Sequence, residues 1–235
     1  KSRPCKESFS STTEIGCYPY TSPSGNYTWS TSGIYMDTIP NAENCDSIMT
    51  FDLTIISQPN GNIHTVQNRL NDGCGSLRYF VNQAFTGDTI IIPLDSSIQL
   101  VEEILIDKDL TIIGKYPLKS VIDPSNNSRA FNIQSGVNVE IKNVHFKNGF
   151  EYTSSGGAIA SFSGNLNLVN CLFSSNEAKN GGAIFHNGNG DISITSCEFL
   201  SNKATRVGGA ISNGGDMTIK NCQFENNRAS SGWST

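Results

Sequence analysis

From Gly156 onward the chain says the same thing three times. Gly157-Ala158-Ile159 recurs as Gly182-Ala183-Ile184 and as Gly209-Ala210-Ile211, at steps of 25 and 27 residues. Between these lie Asn170-Cys171-Leu172-Phe173, Ser196-Cys197-Glu198-Phe199 and Asn221-Cys222-Gln223-Phe224. Asn176, Asn202 and Asn227 each follow three residues after the phenylalanine. A period in the twenties with no helical spacing of apolar residues predicts a solenoid in which each repeat is one coil of β-structure.

Superposing the repeats puts like on like. Ile159, Ile184 and Ile211 form one predicted column, followed by Leu166, Ile192 and Met217, then Leu168, Ile194 and Ile219. Phe173, Phe199 and Phe224 form an aromatic column, and Cys171, Cys197 and Cys222 a column of thiols. All are expected to point inward. The thiols read as small hydrophobes, because a column one strand apart does not converge on zinc. Asn176, Asn202 and Asn227 are expected at a turn, where a side-chain amide bonds its equivalents on neighbouring coils and tolerates left-handed backbone angles. The glycine pairs mark a corner that a Cβ would obstruct.

Upstream, short apolar runs continue the pattern: Ile90 to Ile92, Ile104 to Ile106, Leu110 to Ile113, Val121-Ile122, Phe131 to Ile133 and Val137 to Ile141. Such runs are strands, and their spacing leaves no room for intervening helices. Five to six coils result. The one convincing helix follows Ser76, a good N-cap, with Leu77, Phe80, Val81 and Ala84 on one face; it is expected to cap the first coil. Arg78 reads as a residue tying that helix to the following turn. Gly75-Ser76-Leu77-Arg78 followed by Gly87-Asp88-Thr89-Ile90 resembles the opening signature of bacterial surface β-helix proteins written around the letters CSLREA.

Residues 1–57 are different: rich in Ser, Thr and Tyr, with alternation at Tyr27 to Trp29, Ile34 to Ile39 and Ile48 to Ile55. They read as a small antiparallel β module, with residues 58–235 forming the parallel β-helix and its cap. Gln58-Pro59-Asn60-Gly61 reads as the linker. Cys17 and Cys45 bracket the module and are the expected disulfide, which implies an oxidising compartment. The wording from Tyr20 to Ala42, and Cys45-Asp46-Ser47-Ile48, resembles an extracellular repeat of large Bacteroidetes surface proteins, implying export by the type IX route.

Gly-Gly-Ala-Ile alternating with Phe-x-x-Asn resembles the polymorphic outer-membrane protein repeats of chlamydiae. That resemblance implies a right-handed parallel β-helix displayed outside the cell, with adhesins among its members. The expected function is therefore an adhesin-like or structural protein binding an extended glycan or protein surface, secreted or at the cell surface. Two alternatives stand beside it: a polysaccharide lyase or glycoside hydrolase of the parallel β-helix type, and a passive spacer or self-assembling fibre segment. A net charge of −5 argues against nucleic acid, and no apolar run is long enough to span a bilayer. No catalytic residue, cofactor or metal site is expected. Asp191 and Asp216 read as solvated turn aspartates, as do Asp107 and Asp109. His145 reads as outward, His186 as part of a loop, and His64 as part of the first strand. After Asn227 the expected Gly-Gly-Ala-Ile corner is missing, so self-association through an open solenoid end is a further expectation.

Overall fold

The computed structural model describes residues 6–56, 62–93, 95, 97–115 and 120–230. The linker at 58–61, the final 231–235 stretch and Cys5 lie outside these. The chain divides into two compact units, residues 1–60 and 61–235.

The first unit is a mixed sheet. β1 (Ser8–Cys17) pairs in parallel with β5 (Asp46–Ile56) over ten residues, and β4 (Gly33–Pro40) joins the other side of β5 antiparallel. β2 (Tyr20–Thr21) and β3 (Thr28–Trp29) form a small antiparallel hairpin. The predicted strands at 34–39 and 48–55 are present, while the Ser/Thr-rich β1 carried no apolar alternation to announce it. Phe51 and Leu53 are buried, with Trp29 stacked between Tyr20 and Tyr35 and tilted against Phe51. Asp37 is buried too, and its carboxylate accepts from Ser24 N, Ser24 Oγ and Thr38 N, which pins the Ser22–Tyr27 turn.

The disulfide expectation needs correction. Cys17, Cys45 and Cys74 are each disulfide-bonded. Cys17 and Cys45 are nevertheless not bonded to each other. Cys17 pairs with Ile56 at one end of the β1–β5 ladder, whereas Cys45 precedes β5 at the other end, beyond the Ser8–Ser47 pair. Nine residue steps at about 3.3 Å each separate the two ends, against the roughly 4–7 Å between Cα atoms that a disulfide permits.

The second unit is built of parallel strands stacked in four columns. Stack I opens with β6 (Ile63–Thr65) and continues through 88–92, 110–114, 139–142, 166–169, 192–195 and 217–220. Stack II has six strands (97–99, 120–123, 144–147, 172–174, 198–200, 223–225) and stack III five (104–106, 131–133, 159–162, 184–187, 211–213). Stack IV has four: 150–155, 177–180, 203–207 and 228–229. Each coil visits the stacks in turn, giving about six coils among the described residues. The strand over 97–99 and the whole of stack IV lack the apolar runs that revealed the rest. The helix α1 (Leu77–Gln83) begins where expected, with the Ser76 Oγ accepting from Tyr79 N, and it buries Leu77, Phe80 and Val81.

The predicted columns are the core, except at the last described coil, where Met217, Ile219 and Phe224 are exposed. Phe146, Phe173, Phe199 and Phe224 stack with ring centroids 5.1, 4.9 and 4.7 Å apart and planes within 11° of parallel. Asn202 Oδ1 accepts from both N and Nδ2 of Asn176, while Asn202 Nδ2 donates to Phe173 O and to Asn227 Oδ1. The left-handed residues, however, are Ser175, Ser201 and Asn226, one position before each ladder asparagine. The ladder asparagine must place its amide inward, so the sharp turn falls on its predecessor. In each glycine pair the first residue is left-handed (Gly181, φ 61°), while a Cβ on the second, Gly182, would sit 2.2 Å from Gly209 O.

Asn202→Ala removes both faces of one ladder rung and leaves buried backbone groups unpaired. It is expected to cost about 2–4 kcal/mol. The denaturant midpoint should fall with the slope unchanged, while Glu225→Ala on the exposed side should shift stability by less than about 0.5 kcal/mol.

Candidate functional site

With the columns committed to the core, function has the outer faces to use. One hollow there lies on stack I. It is a groove of about 240 Å³ lined by Asp109, Thr111, Asn138, Glu140, Asn165 and Asn167 together with Gly87, Leu110 and Val139. Its polar groups come from three successive coils. Asp109 accepts from Asn138 N and Nδ2, Asn138 Oδ1 from Asn165 N, and Asn165 Oδ1 from Asp191 N. Glu140 accepts from Asn167 Nδ2 at 2.7 Å and pairs with Lys142 at 2.8 Å. Asp109 and Asp191 are thus the turn residues the sequence suggested, joined through Asn138 and Asn165 into a corner ladder. Asp107 pairs with its neighbour Lys108.

Stack II carries a cluster that sequence reasoning missed. Asp123, on one coil, meets His145 and Lys147 on the next, and His145 in turn reaches Ser174 on the one after. Asp123 is 5% exposed and accepts from Ser125 N and Asn148 Nδ2, with Lys147 Nζ 3.3 Å away. Burial alone would raise its pKa, but these donors and the ammonium hold it below the usual carboxylate range. His145 is half-buried on the outer side, as expected, with Nε2 2.7 Å from Ser174 Oγ. Burial, helped by the Lys147 charge and opposed by Asp123, pushes its pKa down to about 4, so the ring is neutral at ordinary pH. Asp123 was invisible in sequence because its column changes residue type from coil to coil, through Gln99, Lys147, Ser174, Leu200 and Glu225.

Other polar groups are buried and structural. His64 and Asp88 form a pair at 2.6 Å, both nearly inaccessible. They stand at the head of the stack I inward columns, since His64 is in register with Ile90 and Asp88 with Leu110. Phe80 of the cap helix covers the imidazole. Burial would raise the Asp88 pKa, and the hydrogen bonds from His64 and Phe85 N outweigh it and lower it. Arg78 does serve the cap, but not through the following turn. Nη1 and Nη2 donate to Glu103 O and Glu102 O, and Nε to Asn71 O, so it joins the helix to the bend at 101–103, just before the strand over 104–106.

His186 is not in a loop. It lies in the strand over 184–187 in register with Ser161, fully buried, its Nε2 2.9 Å from Gly190 O. The bonded nitrogen donates to that carbonyl, so Nδ1 is the bare one, and neither it nor Ser161 Oγ has a partner. The thiol column is inward and reduced. Each sulfur works like a ladder amide: Cys197 Sγ accepts from Cys171 N, and Cys171 Sγ donates to Ile141 O. Burial pushes the Cys171 thiol well up, which keeps it protonated.

A family model described as a right handed beta helix region matches residues 104–234, more than half of the chain. The chain belongs to that family. Its coils are therefore right-handed, and the strands before Ile104, with their capping helix, extend the same stacks upstream of the matched region. No curated protein matches this β-helix chain. Among the described residues no helix is long and apolar enough to cross a membrane, and no group of three or more His, Cys, Asp or Glu could hold a metal ion.

Because the folded Asp88 pKa is depressed, its contribution to stability is present above the unfolded carboxylate pKa of about 4 and is lost as pH falls through the lower folded value. Asp88→Asn should flatten the part of the acid limb that lies below about pH 4. Thermal unfolding of both proteins between neutral and acid pH reads the effect.

Proposed function

We propose that this β-helix is part of a secreted or cell-surface protein, and that it acts there as an adhesive or structural element holding an extended ligand along its outer faces. The stack I groove carries this reading. It offers amide, hydroxyl and carboxylate groups at strand spacing across three coils, the amides and carboxylates tied to one another and so fixed in place. An extended polymer of hydroxyl-bearing units suits such a rigid, repeating surface. Disulfide-bonded Cys17, Cys45 and Cys74 support an oxidising compartment, as do the resemblances to CSLREA-type, chlamydial and Bacteroidetes surface repeats.

The second reading is a polysaccharide lyase or glycoside hydrolase, favoured by the convergence of Asp123, His145 and Lys147 from adjacent coils. A catalytic carboxylate needs a lone pair open to substrate, and both oxygens of Asp123 face donors in a side chain about 7% exposed. Buttressing between coils accounts for the cluster more simply.

Binding to an immobilised polysaccharide and cell-surface panel, with no new reducing ends or unsaturated products after long incubation, is the expected result. Product release that disappears in Asp123→Asn would replace this reading with the enzyme. Silence across glycans and cells would replace it with a spacer. Under non-reducing conditions, peptide mapping after alkylation in denaturant should label Cys171, Cys197 and Cys222 and leave Cys17, Cys45 and Cys74 unlabelled.

A further inference from the structure

Among the described residues, stack IV is the one stack whose register breaks. Between the pairs Glu151–Ala178 and Ser155–Asn180, the first strand spends three residues, Tyr152, Thr153 and Ser154, where its neighbour spends only Lys179. Between Ala178–Ala204 and Asn180–Val207, the third strand spends two, Thr205 and Arg206. Two bulged strands therefore flank a regular one at the same height. Extra residues in a bulge leave the ladder and re-aim their side chains. Tyr152 is 70% exposed, Val207 is 55% exposed, and Arg206 is exposed as well, while Lys179 between them is half-buried. The result is a saddle with Lys179 on its floor and walls about 9.6 Å apart, twice the strand spacing.

The saddle is built rigidly. Glu151 is held by Arg129 Nη2 at 2.8 Å, and Glu151 Oε1 accepts from Thr153 N, Thr153 Oγ1 and Ser154 N, which fixes the first bulge. Arg129 is buried and also lies 2.9 Å from Glu103 through Nε, although the angle there is too poor for a hydrogen bond. Tyr152 stacks on Phe150 with centroids 6.4 Å apart and planes 20° from parallel, presenting an aromatic face.

The charge is the reverse of the protein's as a whole. The chain carries −5, yet stack IV carries Lys179, Lys203, Arg206 and Arg228 against Glu151 and Glu177. Both carboxylates are occupied, Glu151 by Arg129 and Glu177 by Lys203 at 2.7 Å. Among the described residues, Lys179, Arg206 and Arg228 have no carboxylate within ion-pair distance. Beside them a second hollow, of about 360 Å³, is lined by Ser201, Asn202, Lys203, Asn226 and Arg228 and continues the basic strip across the coils.

We infer that this saddle and strip form a binding site for an acidic polysaccharide. A sugar ring would lie on the Tyr152 face, and uronate or sulfate groups would meet Lys179 and Arg206. This rests on the proposed ligand-holding role and names its ligand class and its face. Nucleic acid is the poorer occupant, since the disulfide-bonded cysteines support an oxidising, extracytoplasmic compartment, where polysaccharide is the commoner polyanion.

The test compares the whole chain's affinity for polygalacturonate, fully methyl-esterified polygalacturonate, a sulfated glycan, a neutral β-glucan and single-stranded DNA, at low and moderate salt. At least one acidic polymer should bind at least about tenfold more tightly than the esterified and neutral ones, and weaken as salt rises. Tyr152→Ala, and Lys179→Ala with Arg206→Ala, should each reduce that binding several-fold with thermal unfolding unchanged. Glu177→Gln, which frees Lys203, should tighten it. Equal binding of esterified and acidic polymers, preference for DNA, or binding indifferent to these substitutions overturns the site while leaving the ligand-holding role intact. Binding lost instead in Glu140→Ala moves the ligand to the stack I groove and likewise overturns the site. Absence of binding to every polymer and to cells overturns both.

Discussion

The structure depends on every coil hydrogen-bonding the next at the spacing of parallel strands, with like residues falling on like. Because the coils are about 4.8 Å apart, any side chain that bonds or stacks at that distance can be repeated indefinitely. Phenylalanine does so through its ring face, asparagine through an amide that both donates and accepts, and cysteine through a thiol with the same pattern. Cys197 and Asn202 solve one problem with different chemistry: each accepts from a backbone N–H and donates to a backbone carbonyl of the coil before it. The thiols are therefore more than small hydrophobes, since they also satisfy backbone groups at a corner of stack II.

Repetition also explains where polar groups become exceptional. The column of Ile106 and Ile133 turns polar at Ser161, His186 and Asn213, which leaves two buried atoms without partners. At the other end, a column must begin somewhere, and His64 and Asp88 begin theirs with a buried pair under the cap helix. Both depart from the ladder, yet neither is accessible. The accessible departures are the bulges of stack IV, which break the register on the outside without disturbing Ala178 and Ala204 inside.

Much of the fold could be read directly. The repeat of Gly, Phe, Cys and Asn gave the inward columns of stacks I to III, and Ser76 with its apolar spacing gave the capping helix. Stack IV escaped because its strands, such as Glu177-Ala178-Lys179-Asn180, bury only an alanine and look like loop. β1 escaped for the same reason, being Ser- and Thr-rich and mostly exposed. The Cys17–Cys45 pairing failed because closeness in a short module says nothing of register, and a parallel β1–β5 ladder holds the two at opposite ends.

The sequence by itself determined that the chain is a β-solenoid, because the period and residue types of its core columns admit no other packing. Tertiary structure alone decided which outward residues meet. Asp123, His145 and Lys147 are more than twenty residues apart from first to last, as are Tyr152 and Lys179, and only the inter-coil register brings them together. Whether a coil is bulged depends on how many residues its neighbour spends between two pairing points, and a single repeat does not reveal that count. Inward positions repeat because every coil faces the same core. Outward positions are free to differ, so the chemistry of the surface had to be found coil by coil.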